Sequence, residues 1–271
     1  MRRSPVPFVV LTSPRSGSGW LIDMLSSHPE VVAYAELFHL ERRTAPGYGA
    51  LDIPYFAPYL DLVLPWTGRA RLYHRAAFLH RVYAARPGVR AVGFKLMYDQ
   101  AQAHRALLEL LALRRARVIH LTRANLLGAL ISWQVARETG IYHARRGEIV
   151  RRTVVSLDAE RLHARLEQNE LVVLWARGRM ERLRLPRLEV SYEELVAHRE
   201  VMLARILGFL GVERRVDLLD SQLVRASPSS HLEMVENADE VGATLAGTRF
   251  EWMLGESMQM PGGFAAYRGA A

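Results

Sequence analysis

Apolar positions along this chain recur with two spacings, short unbroken runs and helix-spaced stripes, and the two alternate. Segment 7–12, PFVVLT, is a short β-branched run ending in a Ser/Pro/Gly cluster, the pattern of a buried strand. After SPRSGSGW comes LIDMLSSH, with Leu21, Met24 and Leu25 at the spacing of a helix face and His28-Pro29 as its stop. Further strands are predicted over 31–36 (VVAYAE), 90–97 (RAVGFKLM) and 117–123 (RVIHLTR). Helices are predicted over 103–115, over 126–138 after an Asn125 cap, and over 156–180. LEVSYEEL (188–195) reads as a strand passing into a helix that 194–210 completes before Gly211. Strands alternating with helices predict an α/β fold: a central, mostly parallel sheet flanked by helices, with ligands at the C-terminal strand ends.

Residues 38–85 break this rhythm. They hold nine of the 23 aromatic residues and four of the 12 prolines, which marks an elaborated insertion on the acceptor side of a scaffold and not a linker. Residues 255–271, with Pro261-Gly262-Gly263 and small residues, read as a flexible tail. No internal repeat or low-complexity tract divides the chain, so residues 1–271 are expected to form one domain.

Composition narrows the chemistry. The chain of 271 residues has no cysteine, which excludes disulfides, thiolate metal sites and thiol nucleophiles. Net charge is +8, and 35 of the 36 cationic side chains are arginine, Lys95 being the one lysine. Guanidinium suits phosphate and carboxylate, yet the arginines are scattered and not gathered in one stripe, which argues against nucleic acid as partner. No apolar stretch approaches the ~18 residues of a membrane span, and the basic start is followed by too short an apolar run for a signal peptide. A cytoplasmic chain is expected. The ten histidines show no H-x-x-x-H or H-E-x-x-H spacing, so no metal is expected.

Segment 12–20, TSPRSGSGW, places Arg15, two glycines and two further serines where a strand hands over to a helix. Helix N-termini carry unpaired N–H groups and about half a positive charge, and glycine lets an anion approach the backbone closely. The turn is therefore suited to phosphate. It lacks the Lys and first Gly of G-x-x-x-x-G-K-[ST] and does not match G-x-G-x-x-G or G-x-S-x-G.

The turn resembles the 5′-phosphosulfate loop, Pro-[Lys/Arg]-Ser-Gly-[Ser/Thr], of sulfotransferases that use 3′-phosphoadenylyl sulfate (PAPS). HLTRANLLGALIS (120–132) is similar to their 3′-phosphate motif, VSYEELVAHREVMLARILGFLGV (190–212) to their Tyr-Glu-[Asp/Glu]-Leu junction, and LVRASPSSHLEMVENADEV (223–241) to their C-terminal loop. The matches run in family order from residue 8 to about 254. SHPEVVAYAELFH and GFKLMYDQ resemble the bacterial carbohydrate group, of nodulation-factor and trehalose type.

The resemblance implies a P-loop-like fold and roles for named residues. Arg15 would touch the oxygen bridging phosphate and sulfate, and Ser16, Gly17, Ser18, Gly19 and Trp20 would hold the 5′-phosphate. Trp20 is open between stacking on adenine and simple core packing. Arg123 and Ser132 would bind the 3′-phosphate. Ser132 lies nine residues after Arg123, where eight is commoner in the wider family, so Asn125 or Thr122 stands as an alternative contact. Tyr192 matches a nucleotide-contacting tyrosine. Glu36 is the candidate base, its alternative role being an ion pair with Arg42 or Arg43, and His39 is the rival base. Lys95 matches a sulfuryl-contacting lysine, but Met97 stands where the hormone-type enzymes carry a catalytic histidine. Lys95 could equally be a strand-end lysine paired with a carboxylate. The aromatic insertion and the basic stretch 142–152 would frame a carbohydrate or other small-molecule acceptor, although a solvated loop is the simpler reading of the latter. A homodimer is compatible with all of this. Two other classes stay open: a small-molecule kinase or nucleotidase, and a non-enzymatic binder of nucleic acid or anionic surface.

Overall fold

The computed structural model describes residues 4–39, 48–56, 68–104, 106–148, 153–224 and 231–255. Five parallel strands form the central sheet: β1 (Val6–Thr12), β2 (Val31–Tyr34), β3 (Ala91–Met97), β4 (Arg117–Thr122) and, late in the chain, β6 (Arg187–Ser191). Their order is β2-β3-β1-β4-β6, so the chain builds outward on both sides of β1. A two-stranded antiparallel ribbon pairs β5 (Ala144–Arg145) with β7 (Leu223–Val224).

Burial on both faces explains the unbroken apolar runs, as expected of a parallel sheet. Along β1, Val9 and Leu11 face one layer of the core while Phe8 and Val10 face the other. The second layer rests on α1 (Ser18–Ser27), whose Leu21, Ile22, Met24 and Leu25 are fully buried. The first receives α2 (Gly68–Val82) through Phe78, Leu79 and Val82.

The expected helix over 103–115 is the shorter α4 (Leu107–Leu113), and a separate short helix, α3 (Tyr98–Ala103), precedes it. His104 ends α3: its ring meets Phe38 O at 3.0 Å and stands edge-on to the Phe38 and Phe56 rings. Ala106, at φ 67°, then restarts the chain so that Leu107, Leu108 and Leu111 reach the core. Next, α5 (Leu126–Thr139) is capped by Asn125, whose Oδ1 accepts the Gly128 N–H at 2.7 Å. The long helix α6 (Ala159–Arg182) starts three residues later than expected, because Asp158 caps it by accepting from Arg161 N.

The expected 194–210 helix is also divided. A Ser191–Glu194 capping box starts α7 (Tyr192–Ala197) directly at the end of β6, and α8 (Arg199–Leu210) follows after His198. α8 packs Leu203, Ile206, Leu207 and Leu210 against the second core layer. A third cluster joins α5, α6 and α9 (Ala238–Leu245) around Ile131, Leu162, Leu166 and Val241.

The aromatic region also departs from expectation. Phe38, Tyr55, Phe56, Phe78 and Tyr83 pack in the core with Phe94 instead of framing a cavity. Burying each such ring removes apolar surface worth about 1.5–3 kcal/mol, which outweighs display on an open surface. Tyr59 and Trp66 lie outside the described residues, as do Arg42, Arg43, Arg151, Arg152 and 256–271. No described helix is long and apolar enough to cross a membrane.

Candidate active site

Every strand of the main sheet delivers a site residue at its C-terminal end. β1 leads into the Ser13–Gly17 turn, β2 into Glu36, β3 carries Lys95, β4 is followed by Arg123, and β6 by Tyr192. These side chains surround one cavity of about 640 Å³. Of the residues singled out by sequence, Arg15, Gly17, Ser18, Gly19, Trp20, Glu36, His39, Lys95, Arg123, Ser132 and Tyr192 line it.

Ser16 is the departure. It is fully buried, its hydroxyl bonded to Thr12 Oγ1 at 2.5 Å and to Ser13 O at 2.9 Å, so its side chain shapes the turn and does not face the cavity. Thr12 in turn donates to Leu121 O at 2.7 Å and ties the turn to β4. Neither Thr122 nor Asn125 lines the cavity. Asn125 is committed to its cap and, through Nδ2, to Met253 O at 3.0 Å.

Gly17 caps α1 in a left-handed conformation at φ 80°. A Cβ there would stand 2.7 Å from the Tyr192 ring, so glycine is required twice over, by backbone and by space. At Gly19 a Cβ would meet the His143 ring at 2.9 Å. No side chain caps the first N–H groups of α1, and Gly17, Ser18 and Gly19 line the cavity.

Arg15, itself at φ 61°, donates from Nε to Ser132 Oγ at 2.9 Å and from Nη1 to the Tyr142 carbonyl. Burial lowers its guanidinium from the ordinary value, against the opposing effect of Tyr192 and Tyr142, yet arginine stays charged in proteins. Arg123, 6% exposed, donates to Arg15 O and to His231 Nε2, each at 3.0 Å, and lies 4.9 Å above the Tyr192 ring. To accept that bond His231 presents an unprotonated Nε2. The buried Glu193 carboxylate accepts from Ala124 N and Asn125 N, both at 3.1 Å, and pins the turn that carries Arg123. The Arg15 and Arg123 turns are therefore one connected structure, with Ser132 joined to it through Arg15.

The other end of the cavity holds a buried ion pair. Lys95 Nζ lies 2.8 Å from Glu36 Oε1 and donates to Tyr48 OH at 2.7 Å. Glu36 Oε2 accepts from Gln100 Nε2 at 2.8 Å. Burial is the largest single influence on Lys95 and disfavours its charge, but Tyr48 and Glu36 outweigh it and raise its pKa, so Lys95 is an ammonium. Among the described residues Glu36 thus meets Lys95, joining two candidates that sequence reasoning weighed separately.

Some cavity features escaped the sequence reading. Gln100 sits in the quoted GFKLMYDQ, Glu193 in YEEL and His231 in the 223–241 stretch, so each had a weak signal. Tyr48 and His143 lie in the aromatic region and the 142–152 stretch, but their ring contact at 4.7 Å had no signal, because the two segments are distant in the chain. From the 142–152 stretch weighed as an acceptor frame, Tyr142, His143 and Arg146 line the cavity, and Arg146 pairs with Asp220 at 3.2 Å beside the β5–β7 ribbon. Among the described residues no group of three or more His, Asp or Glu is placed to hold a metal ion.

A glycine turn and helix N-terminus beside two arginines on a parallel sheet are features suited to an anion. The comparisons make the class specific. The model described as "Sulfotransferase family" matches residues 7–216, and the chain belongs to that family, with its P-loop-like α/β fold. Among solved structures, a sulfotransferase from Alicyclobacillus acidocaldarius is 16% identical, with coverage of 98% of this chain and 100% of its own and a TM-score of 0.41. The sulfotransferase domain of the Synechococcus PCC 7002 olefin synthase is 20% identical, with coverage of 80% and 82% and a TM-score of 0.41. No curated protein matches.

Proposed function

We propose that this chain transfers a sulfuryl group from PAPS to a hydroxyl of a carbohydrate or other small-molecule acceptor, releasing adenosine 3′,5′-bisphosphate and a sulfate ester. The observation that carries the reading is the sharing of one cavity by two cationic turns and a buried carboxylate–ammonium pair. The residues present fit such a donor. The Gly17–Trp20 turn offers backbone N–H groups to a 5′-phosphate and Arg15 offers charge at the leaving oxygen. Arg123, with the α5 N-terminus beside it, suits a 3′-phosphate, and Tyr192 forms the wall behind both. Ser132 contributes through its bond to Arg15.

Bound donor supplies the activated sulfuryl group, and the chain supplies proton and charge handling. Glu36 takes the acceptor hydroxyl proton as the new S–O bond forms, and the electron pair of the breaking S–O bond leaves on the bisphosphate. Lys95 and Arg15 stabilise the charge on the sulfuryl group and the departing phosphate. His39 lines the same cavity and is the other base to test.

Calorimetry with adenosine 3′,5′-bisphosphate against 5′-AMP tests the donor assignment. The bisphosphate is expected to bind at least tenfold more tightly, as loss of a charged hydrogen-bonded contact costs about 1.5–3 kcal/mol, and Arg123→Ala to abolish the difference. Equal affinities in the unaltered chain would overturn the assignment.

A further inference from the structure

We infer that Gln100 is a positioning residue for the transfer reaction, orienting the Glu36 carboxylate and holding it ionised through the Nε2–Oε2 bond. The inference rests on the proposed role of Glu36 as base and adds a residue to it.

Three observations meet at this side chain. Gln100 is 3% exposed and lines the cavity, so its amide is sequestered yet next to the reacting space. Its Oε1 accepts the Met97 N–H at 3.2 Å as the third residue of the α3 capping box. An amide whose oxygen is held in this way must turn its NH₂ the other way, so the group facing Glu36 is a donor. That donor meets Oε2 at 2.8 Å while Lys95 meets Oε1 at 2.8 Å.

The terminal torsion of a glutamate is broad and roughly two-fold, so a carboxylate held at one oxygen can still swing. Gripped at both, its plane is set by β3 on one side and α3 on the other. An ionised carboxylate offers about four acceptor sites, and the two bonds engage one on each oxygen. A donor to the charged form also favours that form, which keeps Glu36 ready to take a proton. Lys95 from β3, Asp99 from α3 and His39 from the Glu36 turn share the cavity wall, and Arg15 and Arg123 face it from the other end.

Gln100→Glu separates positioning from capping. Glutamate keeps an oxygen for the Met97 N–H but replaces the donor with a second carboxyl, and two neighbouring carboxyls cannot both ionise freely. Gln100→Ala removes both contacts. The first measurement is a ¹³C NMR titration of the glutamate side-chain carboxyls, with the Glu36 signal assigned by its loss in Glu36→Gln. The Glu36 midpoint is expected to rise by about one unit in Gln100→Ala and further in Gln100→Glu. The second is the pH profile of kcat/KM, whose acid limb is expected to move upward in the same order, with affinity for adenosine 3′,5′-bisphosphate unchanged. A purely capping Gln100 predicts lower thermal stability in Gln100→Ala with neither midpoint nor limb displaced, and that result overturns the inference. The titration needs no donor. A chain inactive with PAPS would therefore sink the proposed function while the NMR midpoints still decided the role of Gln100.

Discussion

At the β1–α1 and β4–α5 turns the described bonds of the cationic side chains go to neutral groups, whereas at the ends of β2 and β3 cation and carboxylate bond each other. Arg15 reaches a serine hydroxyl and a carbonyl, and Arg123 a carbonyl and an imidazole nitrogen. Lys95 reaches Glu36. Neutral acceptors such as these orient a guanidinium without cancelling its charge. In a buried ion pair each charge offsets the other until the carboxylate takes a proton, which suits a base next to an uncharged hydroxyl and then leaves the cation to face developing charge. The difference teaches that an arginine-rich chain need not present a uniformly anion-seeking cavity.

The comparison breaks first at Glu36. Glu36→Gln is expected to lower turnover by ~10²–10⁴-fold while adenosine 3′,5′-bisphosphate binds as before; near-normal turnover would pass the role of base to His39. Lys95→Met comes next. It strands a buried carboxylate, and urea denaturation should register a loss of about 3–5 kcal/mol, much of it recovered in the Lys95→Met, Glu36→Gln double variant. An undiminished stability in the single variant would mean that the pair is not held as a charged unit. At the other end, Gly17→Ala should cost about 1–2 kcal/mol in stability from its left-handed backbone alone, and should weaken bisphosphate binding because the Tyr192 ring must shift.

The smallest effect lies outside the cavity. Burial raises the Glu189 carboxyl, but the His120 hydrogen bond and charge, with Arg177, outweigh it and hold its pKa below the ordinary carboxylate value. A depressed folded-state pKa contributes stability that is full above the unfolded value and lost as pH falls through the folded one. Glu189→Gln should therefore flatten the fall of stability from about pH 5 to about pH 3, measured by thermal melts. A fall as steep as in the unaltered chain would assign the acid sensitivity elsewhere.

The five parallel strands and their order of appearance were legible in the linear pattern, since a parallel strand buried on both faces must be a short apolar run, whereas the β5–β7 ribbon was not. The glycine turn was legible for the same kind of local reason: left-handed backbone and close approach leave glycine as the residue that fits. Helix interruptions at His104 and His198 were not, because nothing in the local spacing says that His104 will find Phe38 O.

Residue chemistry and spacing thus set the parallel strands and the glycine turn, because these depend on neighbours in the chain, and the resemblance to sulfotransferases singled out Arg15, Arg123, Glu36 and Lys95. Pairing was decided only by the folded sheet. It brings Glu36 against Lys95, Tyr48 and Gln100, turns the Ser16 hydroxyl inward and draws the aromatic rings into the core. Partners separated by tens of residues leave no periodicity to read; they meet where parallel strands end together.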